Sequence, residues 1–301
     1  MKDFKEEIDK IVPVSHLAEE ETIRMMESFA TDEPVAKKLR ELKLSRAQVR
    51  ANLGLIAAYQ EDVDYCSRCP GLSACQKDTP FHQSDLILNE GRLERTYGPC
   101  PLYLRRETVL SSYVYRDFPD EWLSLVPTSL SNSSRVKAVY RLFAEAVRSK
   151  SRPWVYLMGE VGSGRSYLTA AFANGYALRG ERVAFMNANV RFDELKGDAV
   201  KRRPLFEEKL KGLESIPLLV IDDFGSEFKS DYVRDQIVMP LLSERGKRNL
   251  LTVFLSDYSL AEIKELYSTS RGSSIMANRL VGLIESKIAE VGRVEKGVEN
   301  L

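Results

Sequence analysis

The chain has 301 residues with 44 basic and 44 acidic side chains, a formal net charge of zero and 44% hydrophobic residues. That length predicts two domains, each able to bury a core, and the balanced charge excludes a molecule drawn as a whole to nucleic acid or anionic membrane. No apolar run approaches the roughly 18 residues of a membrane span, and Met1 to Lys10 lack the apolar core of a secretory signal, so a cytoplasmic location is expected.

The first 33 residues hold ten Asp or Glu against four Lys or Arg, which suits a protein partner better than a phosphate backbone. Asp32 as N-cap and Pro34 in the first turn predict a helix to about Lys43. Ser45 and Gln48 fit a capping box, and Val49, Leu53 and Ile56 continue an apolar stripe to about Tyr59. Residues 64 to 104 change character: they carry all four cysteines among prolines, glycines and short apolar pieces, and read as a small loop-rich module. The stretch Pro127 to Ser134 reads as a surface linker. The expected division is therefore an N-terminal domain over 1–105, a linker over 106–134 and a C-terminal domain over 135–301.

Cys66 and Cys69 form a CxxC pair, and Cys75 follows after five residues. A disulfide framework is not expected in a cytosolic chain. CxxC lets two thiolates meet one tetrahedral zinc ion from a tight turn, and a closed structural site needs four Cys or His ligands. His82 and Cys100 compete for the fourth place. Four unrelated reduced thiols, or an iron–sulfur cluster on the four cysteines, are the other readings.

Beyond residue 134, short apolar runs alternate with amphipathic helices. Trp154–Met158, Val183–Met186, Leu218–Ile221 and Leu250–Leu255 read as strands; helices follow Ser166, Ser230 and the Ser259–Glu262 capping box. That alternation predicts a parallel α/β sheet.

After the first of these strands come Gly159, Glu160, Val161, Gly162, Ser163, Gly164, Arg165 and Ser166, then a helical segment from Tyr167 to Arg179. This is the GxxxxGK[ST] frame with Arg in the Lys place. Its glycines let backbone N–H groups wrap a phosphate closely, and the next helix adds positive potential at its N-terminus. The expected nucleotide-binding set is Gly159, Gly162, Ser163, Gly164, Arg165, Ser166 and Tyr167, with ATP as ligand and Ser166 reaching Mg²⁺. A plain glycine-rich turn between strand and helix is the alternative. Leu218–Ile221 ends in Asp222 and Asp223, which delivers carboxylates beside a metal ion and its attacking water. Asp222 is expected to hold Mg²⁺ and Asp223 to orient water, although paired acids at a strand end also cap turns. Guanidinium is bulkier than ammonium and planar, so Arg165 predicts retained binding and slowed hydrolysis. Two basic clusters, Lys201–Arg203 and Arg245 with Lys247 and Arg248, read either as contacts to a nucleic-acid backbone or as solvated loops, and no stacking aromatic set accompanies them.

Gly159–Ser166, Leu218–Asp223 and the run Phe254, Leu255, Ser256, Asp257, placed after the cysteine module, resemble the DnaC/DnaI family of helicase loaders, bacterial AAA+ ATPases. The likeness covers nearly the whole chain, and the module followed by the ATPase half is more specific than either alone. It implies an α/β AAA+ P-loop domain, a parallel sheet flanked by helices, preceded by a small helical zinc-binding domain. It also implies a loader whose N-terminal domain grips the replicative DNA helicase, while the AAA+ domain binds ATP and, linked to it, single-stranded DNA, and self-associates. The zinc set it favours is Cys66, Cys69, Cys75 and His82, with Cys100 in reserve. Asp257 stands where the family commonly has a polar sensor residue near the γ-phosphate, often Asn, and so places a negative charge there. Ile275–Val281 resembles a segment with two arginines, one of them an arginine finger; only Arg279 remains, and the role falls on Arg279, on Arg271 or on nothing. Asp223, Asp257 and Arg279 are thus the catalytic candidates. The departures at Arg165, Asp257 and the missing arginine all touch hydrolysis, which predicts a weak ATPase. The competing readings are a non-hydrolysing nucleotide-binding adaptor for the helicase and a transposition-type AAA+ helper.

Overall fold

The computed structural model describes residues 14–268 and 271–295, the side chains of 14–18 and 271 excepted. The chain divides into two units, 1–104 and 105–301. No helix among the described residues is long and apolar enough to cross a membrane.

The first unit holds helices α1 (Val14–Thr31), α2 (Glu33–Glu41), α3 (Arg46–Ala51) and α4 (Leu53–Ser67) and a hairpin of β1 (His82–Asn89) with β2 (Arg92–Pro99). Both expected helix starts form. Asp32 accepts from the Val35 N–H, and Ser45 and Gln48 exchange the two bonds of a capping box. The apolar stripe predicted as one helix breaks at Asn52, which caps α3 and opens α4. The hairpin went unpredicted: its turn is Glu90–Gly91, both at positive φ (49° and 80°), the two-residue geometry that matches strand twist. Phe29, Val35, Ile56, Tyr59, Leu86 and Leu93 form the small core.

In the second unit, the expected strands form as β4 (Trp154–Met158), β5 (Val183–Asn187), β6 (Leu218–Asp222) and β7 (Leu251–Ser256). Two strands were not foreseen, β3 (Tyr113–Arg116) and β8 (Ile288–Arg293), and they take the two edges of a six-stranded parallel sheet in the order β3-β5-β6-β7-β4-β8. Alternate residues point to opposite faces. Tyr156, Met186, Ile221 and Phe254 enter one core; Leu157, Phe185, Val220 and Leu255 enter the other. Burial on both faces is why these strands are continuous apolar runs rather than alternating ones. One face packs α6 (Ser134–Arg148) and α7 (Arg165–Ala177). The other packs α8 (Ala188–Lys201), α9 (Arg203–Ser215), α10 (Asp231–Val233, a π turn Arg234–Val238, then Met239–Lys247), α11 (Leu260–Leu266) and α12 (Arg271–Lys287).

Residues 106–134, expected as a linker, carry the end of α5 (Pro101–Ser112), β3 and two short 3₁₀ turns. Aromatic packing holds them: Phe118 meets Tyr113 and Phe185 edge-on at 5.4 and 5.1 Å. Asn174 on α7 donates to the carbonyls of Trp122 (2.7 Å) and Leu125 (3.0 Å), which orders the approach to the Pro–Thr–Ser text.

Of the basic clusters, Arg245 needs correction. It is fully buried and donates to the carbonyls of Leu213, Ile216 and Leu251 and to the Thr252 hydroxyl, and so closes the bottom of the sheet rather than facing a ligand. Burial pulls its guanidinium down to about 9. Arg202, Arg203, Lys247 and Arg248 pair with Asp198, Glu207 and Glu244 three or four residues away in sequence. Arg245→Ala would strand three buried carbonyls and open a cavity, a loss of about 3 kcal/mol or more in urea unfolding. An unchanged midpoint would contradict this reading.

Candidate functional site

Because β6, β7 and β4 are parallel neighbours, their carboxyl ends and the loops that leave them converge on one edge of the sheet, where α/β folds bind ligands. The loop after β4 begins at Gly159. A side chain there would collide with the Val294 carbonyl and lie 2.8 Å from Ser163 Oγ, so only glycine fits. Gly162 and Gly164 hold φ of +81° and +85°, which bends the loop back to start α7. The Ser163 N–H donates to Glu160 (3.0 Å), while its buried hydroxyl has no partner.

Arg165 opens α7 and folds its side chain back beneath the loop, almost fully buried. Nη1 donates to the Gly159 carbonyl and to Asp257 Oδ1, and Nη2 donates to Asp223 Oδ1 at 3.1 Å. The buried Nε has no partner. The guanidinium thus ties together the residues that follow β4, β6 and β7. Arg165, expected to reach phosphate, is bonded to these two carboxylates in the protein by itself.

Asp223 sits in the left-handed region at φ 55°, uncommon for a residue with a Cβ. Its second oxygen accepts from Asn187 Nδ2 at 2.9 Å. Asn187 ends β5 and also caps α8, accepting from the Val190 N–H, a dual use that the sequence reading missed. Asp222 Oδ1 accepts from the Ser166 hydroxyl and from the Asp223 N–H, both at 3.0 Å. Burial, and then the neighbouring Asp223 charge, push the Asp222 carboxyl up to about 6. The end of β7 is tied to the end of β6 where Ser256 Oγ donates to the Phe224 carbonyl at 2.6 Å. Tyr167 turns away and packs edge-on against Trp122 at 5.5 Å.

The donor chemistry fits the expected ligands. Ser166 and Asp222 offer adjacent hard oxygens of the kind Mg²⁺ takes. The glycine loop, the N-terminus of α7 and the unpartnered Ser163 Oγ and Arg165 Nε leave polar groups unmatched beside it.

Residues 138–292 match the family model for IstB-like ATP binding protein. The chain belongs to this family. The IstB-like region runs from α6 to β8 and contains the loop and both aspartates. The chain is 25% identical over 263 residues to the replicative helicase loader DnaI of Bacillus subtilis (strain 168), covering 82% of each chain. It is 27% identical over 108 residues to the replicative helicase loader DnaC of Escherichia coli (strain K12), covering 36% of this chain and 44% of that one. A solved structure of DnaI is similar with a TM-score of 0.50 and 26% identity, covering 65% of this chain and 98% of that chain.

Two expectations fall outside the IstB-like loop. Arg279 is exposed on α12, and its guanidinium lies 4.0 Å from Met276 Sδ on its own helix; the side chain of Arg271 lies outside the described residues. In the first unit, no three His, Cys, Asp or Glu side chains among the described residues are arranged to hold a metal ion. The zinc set Cys66, Cys69, Cys75 and His82 is therefore not assembled, nor is one that includes Cys100. The physical reason is visible at Cys66. Its sulfur accepts from Lys77 Nζ at 3.5 Å, and that ammonium is ion-paired with Asp62 at 2.6 Å, so a cation already stands there. Cys69 Sγ accepts from the Gly71 N–H at 3.4 Å, and His82 Nδ1 faces the Pro80 carbonyl at 2.9 Å.

Asp222 ionises less readily folded than unfolded, so the stability it costs is absent below about pH 4 and grows as pH rises toward 6. Asp222→Asn should stabilise the nucleotide-free protein at pH 7.5 by about 2–3 kcal/mol, with the gain vanishing near pH 4. Denaturant unfolding at the two pH values checks this; equal gains at both would refute the assignment.

Proposed function

We propose that the protein is a replicative helicase loader, which binds ATP with Mg²⁺ on the Gly159–Ser166 loop and delivers the DNA helicase to single-stranded DNA. One observation carries this reading. The likeness to the loader DnaI covers 82% of the chain, and the unit from 105 to 301 is only about two thirds of it, so the match must extend into the first unit. A transposition-type helper gives no account of that unit.

In this reading residues 1–105 contact the helicase. Backbone N–H groups from Gly159 to Ser166 hold the phosphates, Ser166 and Asp222 hold Mg²⁺, and Asp223 orients the attacking water. Asp257 faces the γ-phosphate, and Arg279, exposed on α12, is available to a neighbouring copy. The binding of Arg165 by Asp223 and Asp257 favours slow hydrolysis. It also supports the second reading, an adaptor that binds nucleotide and does not hydrolyse it.

The test is co-elution of the full chain with its replicative helicase in size-exclusion chromatography, followed by ATP turnover with helicase and single-stranded DNA. Co-elution and a slow turnover raised by those partners are expected. Absence of the complex overturns the loader reading, and a complex with no turnover selects the adaptor. The zinc reading rests on cysteine spacing and on the family resemblance, and the thiol arrangement described above does not support it. Metal analysis of the reduced full chain decides it: one zinc per chain is the expectation of that reading, and none retires it.

A further inference from the structure

We infer that Asp257 sets the nucleotide affinity of the cradle by holding Arg165 in a latch that phosphate must open. This rests on the reading of Gly159–Ser166 as a nucleotide loop. Among the described residues Arg165 is the one cation bonded to these carboxylates, and its side chain is 6% exposed, whereas those of Asp223 and Asp257 are 39% and 32% exposed. The carboxylates therefore lie nearer the open side than the guanidinium they cover. A phosphate that is to pair with Arg165 must take the place of one of them.

The two carboxylates are not equally held. Asp223 is anchored from behind by Asn187 and by the backbone link to Asp222, which is itself bonded to Ser166. The carboxylate of Asp257 bonds to Arg165 alone among the described residues. Asp257 is thus the partner that exchanges. Asp223 stays bonded to Arg165, and a buried guanidinium left with one anion fewer is costly, so phosphate takes the place beside Arg165 that Asp257 vacates. Among the described residues the carboxylates of Asp222, Asp223 and Asp257 outnumber the bonded Arg165, so the cradle also repels a triphosphate until Asp257 withdraws or a divalent cation compensates. Asp257 is accordingly a positioning residue, which acts on nucleotide through Arg165.

Removal of its charge should separate two quantities that a structural contact would move together. Without nucleotide, Asp257→Asn weakens the hold on a buried guanidinium and lowers the unfolding temperature. With nucleotide, the same change removes a competitor and a like charge, and it should tighten AMPPNP–Mg²⁺ binding to the full chain by about tenfold in isothermal titration calorimetry. Asp257→Glu keeps the charge and should bind no tighter than the wild type. If Asp257→Asn does not fold, Asp257→Ser, also uncharged, takes its place with the same expectation. Unchanged or weaker binding by the neutral variant overturns the latch, as does equal tightening by Asp257→Glu. Absence of AMPPNP binding in wild type and variants alike overturns the nucleotide reading and the latch with it, while helicase co-elution remains a separate result.

Discussion

A single buried guanidinium joins the ends of three parallel strands, and the geometry of the cradle depends on it. Arg165 bonds to Gly159, Asp223 and Asp257, which follow β4, β6 and β7. A desolvated cation needs nearby anions, and the anions here are the same carboxylates that a phosphate site must keep in order. A second bond, from Ser166 to Asp222, runs beside it. The loop is thereby fastened to the acidic strand end through two successive residues of one helix.

Much of this was legible in the sequence because it depends on local rules. Doubly buried strands are continuous apolar runs, and the Asp32, Ser45, Ser230 and Ser259 caps all form at the starts of helices. The glycine spacing after β4 leaves few alternatives once a strand precedes it and a helix follows. The strands missed have weaker local signals. β3 follows directly on α5 and lies at an edge, where Val114 is exposed, and β8 continues directly from α12 with an exposed Val291. Their pairing partners, β5 and β4, are distant in sequence.

Arg245 and Asn187 were misread or missed for another reason. A basic residue near a loop is usually solvated, and nothing in the linear order places Arg245 among the carbonyls of Leu213, Ile216 and Leu251. Likewise Asn187 is legible as a helix cap, but its bond to Asp223 needs β5 and β6 side by side. Arg165 itself was identified correctly as a departure from the usual Lys. Its direction could not be read, because it depends on Asp257, 92 residues further along the chain.

The floor of the Gly159–Ser166 loop is laid last. Gly159 packs against the Val294 carbonyl, and the Val294 N–H donates to Met158 at 2.7 Å, so the residue that follows β8 backs the first residue of the loop. During synthesis the loop emerges long before that backing exists. A nascent chain stopped short of β8 would have the glycines and both aspartates but no surface against which Gly159 could set, and β4 would keep an unpaired edge. Ligand competence would then arrive in one step with completion of the sheet, and a C-terminal truncation that removed only β8 would disable a site far upstream in sequence.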